Sequence, residues 1–378
     1  MNYILLGDVI ATAKADRCGE NNFPILSITK SDGIVLQSEK FKKRIASIDT
    51  TNYKIVHRGQ LVQGIHIDEA NFGIQEVVDA GIVSPAYKIW DIKTDKIVPR
   101  YLEIVLRTPK SIAYYASRFN GSIKRRERIS DKDFLRMKIP CPPVREQSYA
   151  IALLDKANAL ISQRKQQLKI LDDLIKARFV EMFGAYAEAA RLSDVATISG
   201  GLTKSAKRDK LPLRMPYLRV ANVSFASIDV SEMLEIGLTD EEYSKTLLQD
   251  GDLLFVEGNG SPDQIGRVAI WENQVVPCVH QNHLIKSRFN KELVVPSFAM
   301  YYFMSPKGRE QIKGKAVSTS GLYTLSISKI SDLMLPIPPL NLQQQFAIFA
   351  EQTDKSKVIV PIKHRIPYEY YMKWREPS

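Results

Sequence analysis

Apolar and polar positions follow two different rhythms along these 378 residues. Over 1–143 and again over 185–340, short apolar runs are broken by Gly, Asn, Asp and Pro, which predicts strands and turns relieved by a few helices. Between them, 145–183 contains neither Pro nor Gly, and its apolar residues return every seventh position. One row is Leu154, Ile161, Leu168, Ile175 and Met182; a second is Ala150, Ala157, Arg164, Leu171 and Arg178; a third is Leu153, Leu160, Gln167, Leu174 and Glu181. A seven-residue repeat sustained this long predicts a coiled-coil-type helix seeking a partner helix, with Gly184 as its stop. Its expected seam is Leu154, Ile161, Leu168, Leu171, Ile175 and Met182. At ~1.5 Å per residue the rod would be about 55–60 Å long. A long helix packed against a single domain is the alternative.

The flanking regions repeat each other. Lys138-Ile139-Pro140-Cys141-Pro142-Pro143-Val144 is followed by Glu146-Gln147, and Met334-Leu335-Pro336-Ile337-Pro338-Pro339-Leu340 by Gln343-Gln344-Gln345. Leu6-Gly7-Asp8-Val9 answers Leu192-Ser193-Asp194-Val195, and Pro24-Ile25-Leu26 answers Pro216-Tyr217-Leu218. His57-Arg58-Gly59-Gln60-Leu61 answers Gln249-Asp250-Gly251-Asp252-Leu253. Pro99 and Pro109 answer Pro296 and Pro306, each pair predicting a helix entered at proline and ended before the next. A period of about 200 residues is too long for a solenoid unit and implies two copies of one domain. Each copy reads as strands and turns, then helices, then a last strand into the proline stop, an α+β pattern.

Charge narrows the partner. Fifty-three basic against 42 acidic residues give +11 and a pI near 9.3, which favours a polyanion. Three scattered cysteines, Cys18, Cys141 and Cys278, fit reduced thiols in a cytoplasm rather than a disulfide framework. No apolar run reaches the ~20 residues that span a bilayer, and no secretory signal pattern opens the chain, so a cytoplasmic protein is expected.

The basic residues cluster in loops: Lys42, Lys43 and Arg44, then Lys124, Arg125, Arg126 and Arg128, in the first copy. In the second they are Lys204, Lys207 and Arg208, then Lys313 and Lys315 running into Ser318, Thr319 and Ser320. Lys and Arg in such loops neutralise phosphates, and Ser, Thr and Arg side chains can reach base edges in the major groove. A solvated charged face is the competing reading of any one cluster. Cys278-Val279-His280-Gln281-Asn282-His283 has the wrong spacing for a zinc site, and alternation along a strand would send its residues to opposite faces. Gly258-Asn259-Gly260-Ser261-Pro262 reads as a hairpin turn between strands at 252–257 and 266–271, since it lacks the ending of a phosphate loop. Glu241-Glu242 reads as a solvated helix start. No methyl-donor loop, nucleophile elbow or P-loop occurs, so neither catalytic residues nor a cofactor are expected.

Two domains that close in Ile-Pro-x-Pro and Leu-Pro-x-Pro, the first before a long helix, resemble the specificity (S) subunit of type I restriction-modification systems. Gly81-Ile82-Val83-Ser84-Pro85-Ala86-Tyr87, Gly251-Asp252-Leu253-Leu254 and Gln264-Ile265-Gly266-Arg267 match that family's recurrent features over residues 1 to about 350. The resemblance implies target-recognition domains at 1–143 and 185–340 that each read half of a bipartite double-stranded DNA sequence. It implies spacer helices at 144–184 and 341–360 that pair antiparallel and dock methyltransferase (M) subunits, and through them restriction (R) subunits. It also implies that the chain catalyses nothing itself. The second helix departs from the pattern: Pro361 and Pro367 interrupt it, a basic and aromatic tail occupies 361–378, and about 16 helical residues would span only ~24 Å. Part of the seam would then need another chain, which predicts self-association. An autonomous DNA-modifying enzyme and a non-catalytic coiled-coil assembly protein are the alternative functions.

Overall fold

The computed structural model describes residues 2–30, 32–40, 46–47, 49–118, 129–319 and 321–357, with the backbone alone at 68 and 319. The chain divides into two compact units, Met1–Ser162 and Gln163–Ser378, and the helix Val144–Phe183 contributes to both.

In the first unit the opening strand Tyr3–Leu5 pairs antiparallel with Lys138–Pro140, the strand that enters the proline stop. An antiparallel sheet follows in the order Ile10–Thr12, Lys88–Ile92, Leu61–Gln63, Phe72–Ile74. Leu26–Thr29 with Gly33–Leu36 and Lys54–His57 with Ala80–Val83 form two separate antiparallel ribbons. Helices Pro99–Leu106, Pro109–Ala116 and Asp131–Leu135 supply the rest of the core. There Phe72, Trp90 and Tyr115 surround Phe134 with ring centroids 5.5–6.0 Å apart.

The second unit repeats the closing strand pair, the four-stranded sheet and the order of the helices. Ala189–Arg191 pairs with Met334–Pro336, and the sheet runs Ala196–Ser199, Leu284–Phe289, Leu253–Val256, Val268–Ile270. Helices Pro296–Met304, Pro306–Lys315 and Ile327–Ser331 follow. The prolines sit at the start of their helices because the first turn has no use for their missing N–H. The caps recur as well: the Thr108 hydroxyl accepts from the Ser111 amide, and Ser305 accepts from Gly308.

The glutamine after each proline stop closes its unit. Gln147 is fully buried; its Oε1 accepts from the Val98 amide at 2.8 Å, and its Nε2 donates to Lys96 and Pro142 carbonyls at 2.8 and 2.7 Å. Gln343, equally buried, accepts from Val295 at 2.9 Å and donates to Leu293 and Pro338 at 3.0 and 2.8 Å. Each glutamine thus satisfies backbone groups that burial would otherwise strand, and pins the long-helix start or its counterpart to the loop before a core helix.

One expectation needs correction. The loop after Leu253–Val256 is no simple hairpin turn. Val268–Ile270 does return antiparallel, but the intervening chain is too long for a tight connection, and Gly258–Asn259 instead pairs with Tyr323 and Thr324. Leu322–Thr324 in turn pairs with Val317–Thr319. Along the long helix the expected seam residues are the less exposed ones. Ile175 is 1% exposed and Met182 packs on the core, whereas Leu154, Ile161, Leu168 and Leu171 are half-buried. On the third row Leu153, Leu160 and Leu174 are exposed, as are Ile170 and Val180 elsewhere on the helix.

The helix Leu340–Lys357 packs antiparallel against the later part of the long helix. Phe346 meets Phe179 and Phe183 at 5.2 and 5.8 Å, while Lys357 Nζ reaches Asp172 at 2.6 Å and Arg164 donates to the Lys357 carbonyl at 3.0 Å. The expected end of this helix at 360 and the tail 361–378 lie outside the described residues. Among the described residues no helix is long and apolar enough to cross a membrane.

Candidate nucleic-acid interface

In the second unit the strand Val279–His280 lies parallel to the end of Leu213–Leu218, and the chain then turns at 281–283 into Leu284–Phe289. The turn is anchored through its backbone. The Gln281 amide donates to Leu218 at 3.0 Å, Asn282 to Leu202 at 3.0 Å, and Leu284 back to Gln281 at 2.9 Å. His280 beneath it is fully buried, and its Nδ1 donates to the Leu284 carbonyl at 2.9 Å, which fixes the Nδ1–H tautomer. Burial, with Lys286 adding to it, lowers its pKa to about 4, so the ring is neutral at pH 7. Gly201 packs so closely that a Cβ there would come 2.1 Å from the His280 carbonyl.

Neighbouring loops converge on this turn. Leu202 bridges to Gln281, the Glu257 amide donates to the His283 carbonyl at 3.0 Å, and His283 Nδ1 meets Glu257 Oε2 at 2.7 Å. Through Gly258–Asn259 the cluster joins the hairpin of Val317–Thr319 and Leu322–Thr324.

The individual candidates fare differently. Lys204 and Lys207 are exposed and have no charged partner among the described residues. Arg208 is held inside the unit: it forms a bidentate pair with Glu242 at 2.9 and 2.7 Å and donates to the Gly237 and Thr203 carbonyls at 3.0 and 2.7 Å. Its hydrogen bonds, together with the Thr239 cap, hold the Glu242 carboxyl at about 2. Glu242 is thus a clasp, where the sequence suggested a solvated helix start. Through Thr203 this clasp orients the loop that carries Lys204. Lys313 pairs with Asp263 at 2.6 Å and Lys315 with Asp332 at 3.8 Å. Ser318 is exposed on its strand, and Thr319 is paired through its backbone to Leu322. Lys42, Lys43, Arg44, Lys124, Arg125, Arg126, Arg128 and Ser320 lie outside the described residues.

Sheet register identifies the matching place in the first unit. Leu61 pairs with Trp90 as Leu253 pairs with Ser287, so Ser84-Pro85-Ala86 occupies the position of Gln281-Asn282-His283. Cations that the sequence left unremarked gather there. Lys54 Nζ donates to the Tyr87 carbonyl at 2.6 Å, Lys88 pairs with Asp131, and Arg17 is close enough that it and Lys88 add to the burial that lowers the Lys54 pKa. These residues stand alone in sequence, one per strand or loop, and their only signal was a basic residue at a strand boundary.

Among the described residues no three His, Cys, Asp or Glu side chains are placed to hold a metal ion. His280 and His283 are turned apart to Leu284 and Glu257. The described geometry offers fixed turns tipped with amides, hydroxyls and cations, a surface suited to recognising a polyanion with polar edges.

Comparison with known proteins agrees. The family model described as "Type I restriction modification DNA specificity domain" matches residues 187–364. The chain is 24% identical over 245 residues to the type I restriction enzyme EcoKI specificity subunit of Escherichia coli (strain K12), covering 59% of this chain and 52% of that protein. It is 24% identical over 241 residues to the StySPI specificity subunit of Salmonella potsdam, again 59% and 52%. It thus spans about half the length of the curated relatives it matches. A solved chain reported under "Structural basis underlying complex assembly and conformational transition of the type I R-M system" superposes with a TM-score of 0.50 at 13% identity, over 94% of this chain and 90% of that one. That likeness shows the fold alone. The specificity-domain match takes in the turn at 281–283, Lys204, Lys207 and the clasp of Arg208 on Glu242.

Proposed function

We propose that the chain is the DNA-specificity subunit of a type I restriction-modification complex, working in the cytoplasm. In this reading 1–143 and 185–340 are target-recognition domains, each reading one half of a bipartite double-stranded DNA site. The helix at 144–184, with its shorter counterpart at 341–360, is the spacer that docks methyltransferase subunits and, through them, restriction subunits. The chain contributes recognition, needs no cofactor of its own, and leaves methyl transfer and cleavage to its partners.

The observation that carries this reading is a duplicated framework whose equivalent turns differ in chemistry while cations gather at the same place in both copies. Lys204 and Lys207, and in the first unit Arg17, Lys54 and Lys88, would contact phosphates; Ser318, Thr319 and Ser320 and the clusters at Lys42, Lys43, Arg44, Lys124, Arg125, Arg126, Arg128, Lys313 and Lys315 would extend that footprint. Leu153, Leu160 and Leu174 leave an apolar row on the helix open, which supports docking of another chain there, a methyltransferase subunit or a second copy.

Reconstituting the chain with its methyltransferase subunits tests the proposal. Methylation should occur at one sequence with two specified blocks separated by unread bases, and only when this chain is present. Methyltransferase subunits that modify the same sites without it would refute the assignment.

A further inference from the structure

The turn at 281–283 places three polar residues between two strands; the His283 side chain is held by Glu257, while those of Gln281 and Asn282 take no part in holding the fold together. We propose that this turn is the base-reading tip of the second unit, and that the Gln281 and Asn282 amides recognise an A·T pair in that unit's half of the target. The inference rests on the DNA-reading function proposed above.

Three observations carry it. First, the turn is preorganised: its amides bond to Leu218 and Leu202, buried His280 and Leu284 flank it, and Gly201 lets the neighbouring backbone press against it. A reading group must be held to within a fraction of an ångström, and such an anchor does that. Second, the Gln281 and Asn282 side chains are half-buried yet have no hydrogen-bond partner among the described residues. A carboxamide offers a donor and an acceptor side by side, the pattern that complements N6 and N7 of adenine in the major groove. Third, the equivalent turn of the first unit carries Ser84-Pro85-Ala86, where the Ser84 hydroxyl folds back to accept from the Ala86 amide at 3.4 Å. Two halves that read different sequences from one framework should differ at the tip and agree in the anchor. Lys204, on the adjoining loop that Arg208 orients, supplies a phosphate contact without sequence content.

The test is the set of methylated sites produced in a host genome lacking other methyltransferases, by the full complex carrying Gln281→Ala, Asn282→Ala, Gln281→Glu or Lys204→Ala. The alanine variants should relax the preference for adenine by roughly tenfold or more at one or two positions of one block, leaving the other block intact. Gln281→Glu, nearly isosteric but purely an acceptor, should shift that preference toward cytosine, whose N4 donates. Lys204→Ala should lower methylation evenly across sites and reduce the salt dependence of DNA binding. Unchanged sites in the Gln281 and Asn282 variants would overturn the inference, as would a folded variant, judged by wild-type thermal unfolding, that loses methylation equally everywhere. If the wild-type complex itself methylates no defined sequence, it is the proposed function that fails.

Discussion

Gln147 and Gln343 make the same three hydrogen bonds, while Ser84-Pro85-Ala86 and Gln281-Asn282-His283 share a position and no chemistry. Between these extremes lies a third pair. In the first unit Gln60 donates to Asp91 at 2.7 Å and accepts from the His57 amide at 2.8 Å. At the same register in the second, Asp252 accepts from Arg288 twice at 2.7 Å and from the Gln249 amide at 2.8 Å. The cross-strand link is kept with its donor and acceptor exchanged. Where buried backbone groups must be satisfied, one side chain serves, and it recurs; where only a link between side chains is needed, either polarity works. Where neither constraint acts, as at the turn, the copies share nothing.

The exchange of polarity should show as unequal cost. Asp252 is 1% exposed, so Asp252→Ala would strand the Arg288 charge and is expected to destabilise the protein by about 3 kcal/mol in chemical denaturation. Gln60→Ala at the more open site should cost under about 1 kcal/mol. Equal losses would mean that the two links are energetically alike despite their different burial. The glutamine clasps should behave the other way: Gln147→Ala and Gln343→Ala should each cost about 2 kcal/mol, since each leaves buried backbone groups unpaired. A large loss for one and none for the other would break the equivalence of the two units.

A smaller effect separates the units by pH. Glu242 titrates near 2 when clasped by Arg208, against an ordinary 4.5, so its contribution is present in full above about 4.5 and is lost as pH falls toward 2. The thermal-stability advantage of wild type over Glu242→Gln should therefore be constant from pH 7 to 5 and shrink below that. An advantage that persists unchanged at pH 3 would show that the Arg208 bond is not what holds the carboxylate.

Much of the framework was legible because local rules write it: Pro99, Pro109, Pro296 and Pro306 start helices, the Pro-free and Gly-free stretch is one helix, and the proline stops recur with their glutamines. The hydrogen-bond roles of those glutamines were not legible, since Val98 and Val295 lie 49 and 48 residues away. The interface was read only in part. Runs of basic residues single out Lys204 and Lys207, which are exposed, and equally Arg208, whose partner Glu242 lies 34 residues on. Arg17, Lys54 and Lys88 come together only through strand pairing, and the turn at 281–283 was weighed as a metal motif because its histidines are conspicuous in sequence and its free amides are not.

The central claim is that one framework carries two independent readers. Its most direct test maps methylated sites made by the full complex with the first turn altered, Ser84→Gln, and separately with the second altered, Gln281→Ala. Each variant is predicted to change a different block of the bipartite sequence and leave the other block and the spacing as in wild type. Two variants that alter the same block, or a spacing that moves with either, would contradict it.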